Sequence, residues 1–537
     1  MNKLFILRFL KFTLILSLLF PLLSAQEDLH NVWAIKDCKI ITQVGPPIEK
    51  GVIVIKDGLI ENVGVNISIP REAEIVDGSK LTVYPGFIDI LSKSLLKFPQ
   101  EKVEERREVA GEPTEKERGI TPEIKAYDYA DLSKSSIEKF HNSGFTVVNL
   151  IPEKGILTGV SSTFSLIDSG KEQAFIQVDP FLGIRFSPAR RGYPNSLMGV
   201  FAFLRQTFSD TFYYSMIKER WRKEMLGIKR EAYNPRLEIL NSYIVEKKPV
   251  VFLCRNQHDI LRAIKLGEEF RLNYFICDLG SEAFRVLNEI KNSHARLILT
   301  AGFKAPVTSI YSRLGKEEKE RAEKEIYPKN PANVASAGIP FAFSSFETDE
   351  PSKFLEGIRK AVENGLSEDI ALKALTINPA NFLNLSKALG TIEVGKIANL
   401  VLVEGNIFSK DSKIRYVFVD GKRFEIKEKK VEEGKTPQVN VSGKWEISLE
   451  SPMGSMHFTL ELSQEGSSLS GKFISQFGTT EFTGGKVSGN EIFFTMSINF
   501  GGESLDLTFS AVVEGETMRG NVQGQMGSME FTGKRIP

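Results

Sequence analysis

From Phe87 to about residue 390, short apolar runs alternate with helical stretches, and this alternation restricts the fold of the 537-residue chain more than any other feature. The runs GFTVVNLI, PVVFLC, NYFICDL, ARLILTA and IPFAFSS have strand length and are apolar at nearly every position, as strands covered on both faces must be. Between them lie stretches such as HDILRAIKLGEEF and DIALKALTINPANFLNL, whose apolar residues recur with helical spacing. Sustained over ~300 residues, the pattern predicts a parallel (β/α)8 barrel of the TIM type. A strongly charged stretch, Lys97 to Arg118, interrupts it after the first strand and reads as a solvated excursion or a lid.

Strand character without helices bounds this region on both sides. NVWAIKDCKIIT, KGVIVIKDGLIENVG and AEIVDGSKLTVYPGFIDI come before it, and Asp57-Gly58 supplies the positive φ of a tight hairpin. GTIEVGKIANLVLVEG and SKIRYVFVDGKRF come after it. The expectation is an α/β protein in which residues 27–86 and 391–425 form a composite β-sandwich domain around a barrel of residues 87–390. A charged linker, 426–440, leads to a last segment, 441–537. There the phrases GSMHFT (454–459), GTTEFTG (478–484) and GSMEFTG (527–533) are visibly related, and evenly spaced strands with Gly-rich turns predict an antiparallel meander closed into a small barrel. Ser442-Gly443-Lys444-Trp445 at its start is similar to the Gly-x-Trp entry of lipocalin-like barrels.

Residues 1–25 combine a basic start, an apolar run from Phe12 to Leu23 and small residues before Gln26, the pattern of a cleavable signal peptide. No other stretch approaches spanning length, so the expected product has no transmembrane segment and is periplasmic or secreted. Without those residues 66 Lys and Arg face 68 Asp and Glu, a balance that gives no reason to expect a nucleic-acid partner. The three cysteines, Cys38, Cys254 and Cys277, allow one disulfide at most, and none lies in a CxxC.

Two long phrases, in the right order and far apart, carry a family resemblance. Lys56-Asp57-Gly58-Leu59-Ile60 with Val83-Tyr84-Pro85-Gly86-Phe87-Ile88-Asp89 is similar to the entry of the amidohydrolase superfamily into its first barrel strand. The stretches ALKALTINPA (371–380) and LGTIEVGKIANL (389–400) are similar to its last helix and exit. The likeness covers about residues 30 to 425 and is strongest to the secreted, imidazolonepropionase-like branch. It implies hydrolysis of carbon-nitrogen bonds in amides, imides or peptides by one or two divalent metals, zinc above all, which activate water at the C-terminal mouth of the barrel. The family places His-x-His after the first strand, one His each after the fifth and sixth, and an Asp after the eighth.

Here those positions hold Leu91 and Lys93, then Leu253 or Cys254, then Cys277 or Asp278, then Phe346. Of the five histidines, His30, His141, His258, His294 and His457, none ends a predicted barrel strand. No metal or other cofactor is therefore expected. The weak catalytic candidates are Lys93 and Asp278: Lys93 puts an ammonium near the vacated metal, where it pairs with Asp278, Glu347 or Asp349 or holds an anionic ligand. Cys254 and Cys277 end neighbouring strands and stand as a disulfide, a soft-metal pair with Asp278, or inert packing. Ligand-binding candidates are Ser161, in the Gly-rich stretch Gly155–Ser162, and Arg191 and Tyr193 in Arg190-Arg191-Gly192-Tyr193-Pro194; both stretches are similar to phrases of the family. The expected function is a metal-free, non-catalytic ligand-binding or scaffolding protein of the cell envelope with a small-molecule or peptide ligand. The alternative is a hydrolase with a site rebuilt around Lys93, Cys254, Cys277 and Asp278.

Overall fold

The structure is a computed structural model, described for residues 32–99, 118–189, 193–304, 315–348, 350–426, 437–451, 454–475, 478–500, 503–524 and 527–536. The signal-peptide region, Arg191, Asp349, and most of the Lys97–Arg118 excursion and of the linker lie outside these residues. The chain divides into two compact units, up to Ile426 and from Lys427 onward.

In the first unit, strands β1 (Val32–Ile40), β2 (Ile48–Lys56), β3 (Leu59–Gly64), β4 (Glu74–Asp77) and β5 (Leu81–Pro85) precede the barrel. Its strands are β6 (Phe87–Ser92), β7 (Phe145–Leu150), β8 (Leu157–Ser165), β9 (Phe175–Arg185), β10 (Val250–Cys254), β11 (Tyr274–Asp278), β12 (Arg296–Thr300) and β13 (Phe341–Ser344). Strands β14 (Leu400–Glu404), β15 (Lys413–Val419) and β16 (Lys422–Glu425) return to the opening segment. They join it in one eight-stranded sheet of order β16-β15-β14-β5-β1-β2-β3, with β4 beside β1. The β5/β14 ladder, Pro85 opposite Leu400, unites residues more than 300 positions apart. Asp57 and Gly58 take φ of 50° and 80° between the paired Lys56 and Leu59, the tight hairpin that their types call for.

The barrel sheet runs β6 to β13 in sequence order, and all its pairings are parallel except those of β8, which is antiparallel to both neighbours. Six residues separate β7 from β8 and nine separate β8 from β9, too few for the dozen or so that a parallel crossover needs. The Gly155–Ser162 stretch is therefore mostly strand, not a ligand-facing turn. Gly159, at φ 122°, marks a bulge there: a Cβ would come within 2.5 Å of the Ile124 carbonyl oxygen. Helices such as Lys134–His141, Gln257–Glu269 and Pro351–Glu363 cover the outside. Ile88, Ile90, Val251, Phe275, Ile298 and Phe346 belong to a separate buried cluster that fills the lumen.

No ladder joins β13 to β6 among the described residues; side chains close the barrel. The Ser344 hydroxyl donates to Leu91 O (2.7 Å), and Ser345 N donates to Asp89 Oδ1 (3.0 Å). The Ser345 hydroxyl donates to Asp89 Oδ2 and lies 2.8 Å from the Ser92 hydroxyl. Asp89 is wholly buried, and burial pushes its carboxyl up to about 7 even though the Ser345 and Ser92 hydrogen bonds oppose the rise.

The second unit is a closed antiparallel barrel in which each strand pairs with the next and β17 (Gly443–Ser451) pairs with β24 (Gly527–Ile536). Between them run β18 (Gly454–Glu465), β19 (Ser468–Ser475), β20 (Gly478–Ser488), β21 (Glu491–Phe500), β22 (Glu503–Glu514) and β23 (Thr517–Gly524). Its interior holds an aromatic column: Phe482 stacks on Phe494 with ring centres 4.0 Å apart, and Phe494 on Phe509 at 4.7 Å. Trp445 Nε1 donates to Val441 O (2.9 Å) under the Arg535 guanidinium. Among the described residues of the chain, no helix is long and apolar enough to cross a membrane.

Candidate barrel-mouth site

The C-terminal ends of the parallel barrel strands bring together charges that lie far apart in sequence. Lys93 follows β6 directly, and its ammonium lies 3.0 Å from Glu153 Oε2 and 5.1 Å from the centre of the Phe346 ring, over its face. Glu153 sits in the six-residue β7–β8 connection, the short loop forced by the reversed strand. Arg185, the last residue of β9, donates through Nη1 to Glu153 O (3.1 Å) and meets Glu153 Oε1 at 3.4 Å. Arg255, after β10, donates to the Ser187 hydroxyl (3.1 Å), and Glu347 follows β13.

Burial alone would raise the Glu153 carboxyl, but the Lys93 and Arg185 charges outweigh it and hold the group below its ordinary value. Glu347 goes the other way: burial raises it, and Lys93, Arg185 and Arg255 only partly offset that. The Arg185 guanidinium is lowered by burial and by the like charge of Arg255. Three cations thus face two carboxylates, so the mouth has positive charge to spare.

The other candidates are placed elsewhere. Lys93 pairs with Glu153, not with Asp278. Register explains why: Leu253 lies opposite Cys277 and Cys254 opposite Asp278 across β10 and β11. Paired residues of a parallel ladder share a face and successive ones alternate, so Cys277 points into the lumen cluster while Cys254 and Asp278 face the helix layer. The two cysteines therefore stand on opposite sides of the wall, and both are free thiols, which corrects the disulfide expectation. Asp278 is wholly buried and accepts hydrogen bonds from Glu282 N (3.1 Å), Ala283 N (2.8 Å) and Asn330 Nδ2 (3.0 Å), capping the turn after β11. Burial raises it to about 6 against those bonds.

Ser161 is buried within β8, where its hydroxyl accepts from Phe181 N (3.0 Å). Tyr193 is half exposed and donates to Gly199 O (3.1 Å) near the start of the helix Leu197–Glu224. His141 is buried with Nε2 2.8 Å from Leu166 O, and burial lowers it to about 4; His258, His294 and His457 are exposed. Among the described residues no three His, Cys, Asp or Glu side chains are grouped to hold a metal ion. Leu91, Lys93, Leu253 and Phe346 offer a divalent ion neither an imidazole nor a carboxylate. Glu153, Arg185 and Arg255 escaped the sequence reading. The available signal was a charged residue directly after, or ending, an apolar run, as in NLIPE, FLGIR and VFLCR.

The first unit defines a class: a barrel hung on a sheet built from both ends of its own sequence. An amidohydrolase family model matches residues 323–424. The crystal structure of an amidohydrolase from Thermotoga maritima MSB8 is 25% identical, covers 73% of this chain and 99% of its own, and superposes with a TM-score of 0.62. A Xaa-Pro dipeptidase with methionine bound in its active site is 16% identical over 73% of this chain and 100% of its own, with a TM-score of 0.43. No curated protein matches the chain. Through its first unit, the protein is similar to the amidohydrolases, in sequence over residues 323–424 and in fold over most of the unit.

Proposed function

We propose that the protein is a metal-free member of the superfamily that binds rather than hydrolyses, acting in the cell envelope as a ligand-binding or scaffolding protein. Its ligand is a small anion or a carboxylate-bearing peptide held at the barrel mouth. The observation that carries this reading is the Lys93 ammonium, fixed by Glu153 at a position where the family would place an imidazole. A fixed cation repels a divalent ion and attracts a carboxylate, and Arg185 and Arg255 add to the same field. The alternative, a rebuilt hydrolytic site, loses support because Cys254 and Asp278 are separated from Lys93 and Cys277 by the barrel wall. The envelope assignment rests on the signal-like residues 1–25.

Elemental analysis and thermal melts of the chain beginning at Gln26 test the reading. The expected result is no stoichiometric metal, no stabilisation by zinc, and stabilisation by members of a panel of N-acetyl dipeptides with free carboxylates. At a hundred times the dissociation constant that stabilisation is about 2.7 kcal/mol, and Lys93→Met removes it. Bound metal with zinc stabilisation, or turnover of an amide in the panel, would overturn the reading.

A further inference from the structure

The helix Leu197–Glu224 has 28 residues and spans about 42 Å. Its first part packs on the barrel through Val200, Leu204, Phe208 and Tyr214, but after Tyr214 none of its residues is buried. The helix ends at Met225, held at φ 54°, and the chain turns through Gly227 before the helix Pro235–Ile244 brings it back. At this tip Leu226 is 89% exposed and Met225 58%, while the chain then runs back until Asn234 N lies 3.5 Å from the Tyr214 hydroxyl. Single exposed apolar residues are ordinary; two adjacent large ones at a turn rimmed by cations are not.

Charge surrounds them. Between Lys218 and Arg236 seven Lys and Arg stand against three Glu, a net of +4 in a chain whose whole formal charge is +1. Lys223 pairs with Glu219 (2.7 Å), and Lys218 and Arg236 pair with Glu238 and Glu123. Arg220, Arg222, Lys229 and Arg230 are exposed and, among the described residues, none of them is in an ion pair. Trp221 lies beside them, under the Arg230 guanidinium at 5.6 Å.

A second copy of the chain is a poor cover for this tip, because a two-fold contact would set +4 against +4. We propose that the turn Met225–Arg230 docks on an anionic membrane surface. Leu226 and Met225 enter the headgroup boundary while Arg220, Arg222, Lys229 and Arg230 meet lipid phosphates. Apolar insertion combined with a basic rim is how interfacial segments hold to acidic bilayers. This contact is reversible and independent of any ligand at the barrel mouth.

The test is co-sedimentation of the chain beginning at Gln26, so that the apolar leader cannot itself bind lipid, with phosphatidylcholine vesicles with and without phosphatidylglycerol. Trp221 reports through a blue shift of its emission. Binding is expected on the acidic vesicles alone and is released near ~1 M salt, where the screening length falls to ~3 Å. Leu226→Glu and the double variant Arg222→Glu, Lys229→Glu each weaken it by roughly tenfold or more, with unchanged melting temperatures because none of the three side chains is buried. Failure to bind acidic vesicles, equal binding to neutral ones, variants that bind like the parent, or a dimer that Leu226→Glu dissolves would each overturn the proposal, the last in favour of a protein partner.

Discussion

Replacing Asp89 by Asn should leave the protein little changed at pH 5 and make it more stable than the parent at pH 8. Asp89 is buried with no ionic partner among the described residues, and its carboxyl rises from an ordinary 3.8 to about 7. A carboxyl raised on folding takes up a proton, so its contribution to stability is complete below about pH 4 and is lost as pH climbs through 7. At ~1.4 kcal/mol for each tenfold in acid strength, the parent loses about 2.5 kcal/mol from this group between pH 5 and pH 8. The Asn variant loses none of it. Its amide matches the protonated acid, since Oδ1 still accepts from Ser345 N and Nδ2 can donate to the Ser345 hydroxyl. For a first unit of nearly 400 residues melting with ~2.1 cal/mol/K per residue, the gap opens by about 3 °C. Thermal melts of both proteins at pH 5 and 8 give the answer, and other titrations cancel in the difference. A gap that does not change with pH, or that moves in the parent's favour at pH 8, would refute the reasoning.

Two further outcomes follow from packing. Burial raises the Cys38 thiol to about 12 and those of Cys254 and Cys277 well above their ordinary value, so all three should resist a thiol reagent in the folded protein and all three react once it is unfolded without reductant; a pair that stays silent after unfolding would reveal a disulfide. Phe509→Ala should cost the second unit about 3–5 kcal/mol by opening its aromatic column, while leaving the melting of the first unit in place. Calorimetry checks this, and an unmoved second-unit transition would show that the column does not support the barrel.

What was legible depended on how local each signal is. The fifth, sixth and eighth strands of the barrel were readable because their apolar runs stand alone between helices, and Asp57-Gly58 announced its own hairpin. The third strand was not: LTGVSSTFS is small and polar by composition, and its burial comes from the neighbours it pairs with. Lys93 was found through its position in a long family phrase. Its partner Glu153 was not, because it lies on a connection whose shortness only the reversed strand explains. For Cys254 and Asp278 the sequence supplied the right strand ends but not the face, since a shift of one residue in register exchanges lumen for helix layer. The closing serines Ser344 and Ser345 gave no signal at all, since hydroxyls are ordinary at strand ends.

Mechanically, the hydroxyl-and-carboxyl seam between β6 and β13 acts like a hook, while the rest of the barrel wall is woven. A woven wall yields only when whole ladders shear; a hook lets go when a few side chains turn. Just outside it, β5 continues the β6 lip into the adjoining sheet, where it pairs with β14. The seam is the one junction of the barrel wall that, among the described residues, carries no backbone ladder. The segments that flank the barrel, before β6 and beyond β13, are tied through a neighbouring sheet.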